Sequence, residues 1–321
     1  MRSVRTRLVA ARPALTALAL AAVVVACGGD GTASEPAAAP TDAFPVTIEV
    51  DGASVTIPDR PERIVSLSPS STEGLFAIGA GARVVAADEY SDFPAEAPTT
   101  DLSGFTPNLE AIAAFEPDLV VAQYDPGDLV AGLEALDVPV LLLPSAATLE
   151  DVFTQLEALG TATGESAAAA AAVADLRARL DAVVAELPAL DEPLTYYHEL
   201  DDTYFTATSA TFVGAVYALL GLENVADAAD PDGAAFGYPQ LSAEYLLEAD
   251  PDLVFLADTR CCAVTAEGFA ARAGFDVLTA VREGRVFELD DDVASRWGPR
   301  IVDMVEQVGA AVGGVATGTA G

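Results

Sequence analysis

The chain has 321 residues, 52% apolar and 7% aromatic, enough for more than one buried core and too apolar for wholesale disorder. Fifty Asp and Glu stand against fifteen basic residues, all of them arginine, giving a formal charge of −35. That balance disfavours nucleic acid as a partner; the absence of lysine removes P-loop and Schiff-base chemistry, and the single His198 removes His-rich zinc or manganese centres.

Arg2, Arg5, Arg7 and Arg12 precede an apolar run, Ala14–Ala26, that is too short for a bilayer core needing about 20 residues. Residues 1–26 therefore read as a secretory signal peptide. The run ends Val24-Val25-Ala26-Cys27, which resembles a bacterial lipobox with Cys27 as the lipidated residue; an ordinary signal peptide followed by a chance cysteine is the alternative. Residues 27–45, rich in Gly, Ser, Pro, Ala and Thr, read as a flexible tether. Processing would leave eleven arginines against fifty acids, a charge of −39 on an extracytoplasmic, anchored protein.

Val46–Val50 and Ser54–Ile57 flank Asp51-Gly52, a hairpin signal. Short β-rich runs then alternate with amphipathic segments: Ile64–Leu67, Val84–Ala87, Leu119–Ala122 and Val140–Leu143, the pattern of βα units on a mostly parallel sheet. Ser166–Leu187 breaks this rhythm with six consecutive alanines and with Leu176, Leu180, Val183 and Leu187 on one face, predicting a helix about 33 Å long that Pro188 stops. A second alternating set follows at Leu194–Tyr197, Leu253–Ala257 and Val286–Leu289. The expected organisation is an α/β lobe over 46–165, a bridging helix over 166–188 and a second α/β lobe over 189–321 ending in a helix. The two halves echo each other: Glu110 lies seven residues before Pro117 in NLEAIAAFEPDLVVA, and Glu244 seven before Pro251 in SAEYLLEADPDLVFLA. Two Rossmann-like lobes on one stiff helix imply a ligand cleft between them.

PERIVSLSPSSTEGLFAIGAGARVVAAD, EYSDFP, PNLEAIAAFEPDLVVA, GLENVAD, YPQLSAEYLLEADPDLV and SRWGPRIVD together resemble, over about Arg60 to Val312, bacterial ABC-transporter substrate-binding proteins of the cobalamin and ferric-siderophore class. The resemblance implies two lobes bridged by one rigid helix, and an ABC permease and ATPase as partners. It also implies one acidic residue per lobe docking on permease arginines, matched here to Glu73 and Glu244; Glu73 read by itself also suits the positive end of a helix.

Loops at the carboxyl ends of the strands would line the cleft. Ser70, Tyr90, Phe93, Phe105 and Tyr124 are the candidates from the first lobe, and His198, Tyr238, Cys261, Cys262, Arg296 and Trp297 those from the second. The aromatics suit a large flat ligand or, singly, core packing. Tyr238 stands where cobalamin binders carry Trp. Arg296 beside Trp297 suits an anionic group, and Arg300 either joins it or caps the last helix. His198 is either a ligand contact or a satisfied core histidine. Cys261-Cys262 is either a vicinal disulfide or a thiol pair. The expected ligand is a ferric siderophore, with haem or cobalamin as alternatives and no resident cofactor or metal. G-x-S-x-G and H-E-x-x-H motifs are absent, so a binding protein and not an enzyme is expected, acting as a monomer; a sensor or adhesion lipoprotein on the same fold is the reading from another class.

Overall fold

The computed structural model describes residues 42–190 and 192–318. The expected leader and Cys27 lie outside them. Asp51-Gly52 turns a two-stranded antiparallel hairpin, β1 (Val46–Val50) with β2 (Ala53–Ile57), in which both turn residues hold positive φ. Five parallel strands follow: β3 (Ile64–Leu67), β4 (Val84–Asp88), β5 (Thr99–Leu102), β6 (Leu119–Ala122) and β7 (Val140–Leu142), in the order β5-β4-β3-β6-β7. The helices of this half are α1 (Pro69–Ala77), α2 (Leu109–Ala113), α3 (Leu129–Glu134) and α4 (Leu149–Thr163). Because β3 leads toward β4 on one side while β6 leads toward β7 on the other, the loops after β3 and β6 diverge and leave a crevice at the carboxyl edge.

The Ala-rich segment forms α5 (Ser166–Glu186), 21 residues and about 31 Å at 1.5 Å per residue. It packs against α4, which a Thr148–Asp151 capping box starts and a left-handed Gly164 stops. The second lobe carries β8 (Thr195–Glu199), β9 (Glu223–Asn224), β10 (Leu253–Leu256) and β11 (Val286–Glu288), parallel and ordered β11-β10-β8-β9. Its helices are α6 (Phe212–Leu219), α7 (Ala243–Ala249), α8 (Ala266–Ala270), α9 (Thr279–Arg282), α10 (Asp291–Ser295) and α11 (Ile301–Thr317), and α11 lies against α5.

Alternation along each buried strand sorts side chains into separate cores. Ile64 of β3, Tyr196 of β8 and Leu253 and Phe255 of β10 join one continuous core that runs through α4, α5, α6 and α11 between the lobes. Val65 and Leu67 face a second core under α2 and α3, while Tyr197, Val254 and Leu256 face a third under α7 and α8. A shared core resists wide separation of the lobes, since opening would expose apolar area at roughly 25 cal/mol per Å². Among the described residues no helix is long and apolar enough to cross a membrane.

Candidate functional site

A cavity of about 390 Å³ opens at the crevice, walled on one side by loops after β3, β4, β5 and β6 and on the other by α10 and the segment that follows it. The sequence-predicted Ser70, Tyr90, Phe105, Tyr124, Arg296 and Trp297 all line it. Pro69 sits at the first position of α1, where its missing N–H costs nothing, and both it and Ser70 line the cavity. Tyr90, Phe105 and Tyr124 make an aromatic row, with centroids 6.3 Å apart in an edge contact and then 6.0 Å apart in a tilted one. All three are exposed, so core packing does not explain them. Gln123 Nε2 donates to Ser145 Oγ at 2.8 Å and to the Tyr124 hydroxyl, fixing that ring at the mouth.

The charged residues depart from the sequence reading. Arg296 donates from Nη1 to Asp92 Oδ1 at 3.0 Å and Glu73 Oε1 at 3.4 Å, and from Nη2 to Asp292 Oδ1 at 2.6 Å and the Tyr90 carbonyl at 3.0 Å. Its side chain is 11% exposed, so it is a fastener between lobes and not a cation awaiting an anionic ligand. Arg300 grips Glu73 with both ends of its fork, Nε to Oε2 at 2.9 Å and Nη2 to Oε1 at 2.5 Å, and lies 3.9 Å over the Phe93 ring. Arg260 pairs with Asp290, Asp292 and, at 3.6 Å, Asp92. Every arginine on this side of the second lobe thus answers an internal carboxylate.

Glu73, expected on the rim, is buried at 3% exposure beneath Arg296 and Arg300, so its carboxylate does not face a partner. Gly298 lets the backbone pass close to that carboxylate: a Cβ there would come within 2.9 Å of Glu73 Oε2, so the Arg300-held side chain would have to shift. Glu244 is exposed at the second position of α7, after the Ser242 cap. Its counterpart by the internal repeat is Glu110, exposed at the second position of α2 after the Asn108 cap. The shared Pro-Asp-Leu-Val was the signal that could have singled out Glu110.

His198 is fully buried on β8, with Nδ1 2.8 Å from the Tyr217 hydroxyl, and lies in the core, away from the cavity; burial pushes it down to about 4, so it is neutral. Phe93 serves Arg300 and does not line the cavity. Tyr238 is half-exposed outside the lining set, and burial followed by the neighbouring Tyr124 phenol raises its ionisation. Cys261 and Cys262 form a disulfide on an exposed loop whose Arg260 and Cys261 amides donate to Asp291. Neither cysteine lines the cavity. Two lining carboxylates escaped the sequence reading, Asp88 at the end of β4 and Asp292 on α10. Asp88 is 3% exposed, and burial raises its carboxyl against the Ser91 hydroxyl that donates to Oδ1 at 2.6 Å. Among the described residues no cluster of three or more His, Cys, Asp or Glu could hold a metal ion.

The sequence profile of the periplasmic binding protein family matches residues 64–293, which takes in the first-lobe wall of the cavity and reaches Asp292 on the other. The chain belongs to the periplasmic binding protein family. The members of that family are binding proteins. A cobalamin-binding protein of Halobacterium salinarum is 32% identical over 90% of this chain and 81% of its own. An ABC transporter substrate-binding lipoprotein of Bacillus subtilis, described as uncharacterized, is 29% identical over 92% of this chain and 95% of its own. The crystal structure of the periplasmic vitamin B12 binding protein of Vibrio cholerae superposes with a TM-score of 0.65 at 29% identity, covering 80% of this chain and 98% of that one.

Proposed function

We propose that this periplasmic binding protein is the lipid-anchored, extracytoplasmic receptor of an ABC importer and that it captures a corrinoid in the cleft between its lobes. The observation that carries the ligand class is the wall of Tyr90, Phe105 and Tyr124 which, with Trp297, lines a cavity whose lining arginine is already paired. A flat, amide-rimmed ring meets aromatic faces without needing a free cation, whereas a ferric siderophore or haem bearing carboxylates would meet Asp88 and Asp292. The names of the Halobacterium and Vibrio relatives support the same choice. Isothermal titration with cyanocobalamin tests it: micromolar or tighter saturable binding is expected, and a ferric chelate or haem that binds while cyanocobalamin does not would overturn it.

Glu110 and Glu244 are the proposed permease contacts in place of Glu73 and Glu244. Both stand exposed at equivalent positions of equivalent helices, one in each lobe, so two carboxylates would set orientation and encounter rate while adding little affinity. Cys27 is the proposed lipid attachment, supported by the lipoprotein among the relatives. Replacing it with Ser releases soluble protein or leaves an uncleaved precursor; unchanged membrane retention and a wild-type N-terminus without acyl mass would remove that part of the proposal.

A further inference from the structure

We infer that Asp88 sets the specificity of the cleft, accepting an N–H from the bound ligand and turning away a ligand that presents a carboxylate there. The inference rests on the corrinoid reading and names the polar contact within it. Asp88 is the last residue of β4, lines the cavity and is nearly enclosed, yet among the described residues no guanidinium forms an ion pair with it. Its orientation is fixed from behind: Ser91 Oγ donates to Oδ1 at 2.6 Å, and Thr72 Oγ1 stands 2.9 Å from that hydroxyl. Gly104 keeps room above the carboxylate, since a Cβ there would lie 3.2 Å from Oδ2 and 2.4 Å from the Leu67 carbonyl.

No arginine pairs with it directly, while the Ser91 hydroxyl, the Tyr90 and Ser91 amides and the more distant Arg296 charge favour its carboxylate form against burial. Around the cavity, Glu73, Asp88, Asp92, Asp290 and Asp292 outnumber Arg260, Arg296 and Arg300, and the three arginines answer the other four acids. A fixed carboxylate with no ion-pair partner rewards a ligand N–H and penalises an anion through like-charge repulsion in a partly desolvated site. The primary amides that rim a corrin ring supply such donors. Hydrolysis of one amide to its acid replaces the donor with a negative charge while preserving the ring, its size and its aromatic contacts.

Cyanocobalamin and its separated monocarboxylic acid isomers therefore form the test set, titrated calorimetrically against wild-type protein, Asp88→Asn and Asp88→Ser. Wild-type protein is expected to bind at least one acid isomer tenfold or more weakly than the parent amide. Asp88→Asn, which retains the shape and removes the charge, is expected to bring that isomer within threefold of the amide; Asp88→Ser repeats the measurement should the Asn variant fail to fold. Wild-type binding of every acid within threefold of the amide, or discrimination that survives both substitutions, would overturn the assignment while leaving corrinoid capture standing. Absence of corrinoid binding by the wild-type protein would instead sink the proposed ligand, and this inference with it. The discrimination ratio is the decisive readout, because loss of structural support alone would weaken amide and acid together.

Discussion

Replacing Glu73 with Ala removes the one carboxylate that ties α1 of the first lobe to the segment before α11 in the second. Glu73 lies 2.5 and 2.9 Å from the Arg300 fork and 3.4 Å from Arg296, and is itself 3% exposed. Breaking a buried pair by deleting one partner costs about 3–5 kcal/mol, since the other charge is left enclosed without an answer. Here the lower end applies: Arg300 retains the Phe93 ring beneath it and 16% exposure, and Arg296 retains Asp92, Asp292 and the Tyr90 carbonyl. A loss of about 3 kcal/mol corresponds to a fall in melting temperature of roughly 5 °C for a body of this size. Thermal unfolding followed by circular dichroism measures it, with Arg300→Met alone and combined with Glu73→Ala to separate the pair from its neighbours; the double variant should be less destabilised than the two single losses added. Glu73→Ala within 1 kcal/mol of wild type would refute the clamp and restore Glu73 as a candidate for the permease face.

Glu110→Arg and Glu244→Arg should each lower uptake in a reconstituted importer while leaving ligand affinity within about threefold, under 1 kcal/mol; parallel loss of ligand affinity would assign these residues to the cleft or the fold. Gly298→Ala should weaken the same clamp as Glu73→Ala, by about 1–3 kcal/mol for a forced contact, and unchanged thermal unfolding would show that Glu73 yields freely. His198 is held neutral at about 4 against an ordinary 6.5, so between those pH values the unfolded chain takes up a proton that the folded chain lacks; the stability of wild type relative to His198→Gln should fall by about 3 kcal/mol from pH 7 to pH 4, and a flat difference would contradict its burial. Asp258, buried just after β10, titrates in the opposite sense, pushed up to about 7 by burial and the Glu199 charge, so Asp258→Asn should stabilise the protein more at pH 8 than at pH 5.

Much of the scaffold was legible because buried parallel strands announce themselves. Ile64–Leu67 and Leu119–Ala122 form where their apolar runs predict, and the Ala-rich stretch forms a helix to Glu186, one residue short of the expected end. β5 and β9 escaped prediction because each has one strand neighbour and its sequence, Thr-Thr-Asp-Leu or Glu-Asn, lacks a buried run. The aromatic wall was legible for a related reason: Tyr90, Phe105 and Tyr124 follow strand ends, where a large apolar residue has little core to enter. Charges were not. Arg296 and Arg300 meet Glu73 across 223 and 227 positions, and no local pattern distinguishes a cation that will find such a partner from one that waits for a ligand. His198 misled in the same way, since the acids that follow it in the sequence suggest a polar site, whereas its place on β8 carries it into the core beside Tyr217.

Corrinoid capture by the aromatic cleft in the cell is the part of the proposed function with the sharpest chemical signature. Mass spectrometry with elemental analysis of the small molecules that remain bound when the protein is purified from native membranes tests it most directly. A cobalt-containing corrinoid at near-stoichiometric occupancy is the predicted result; an iron chelate or haem in that position would contradict it.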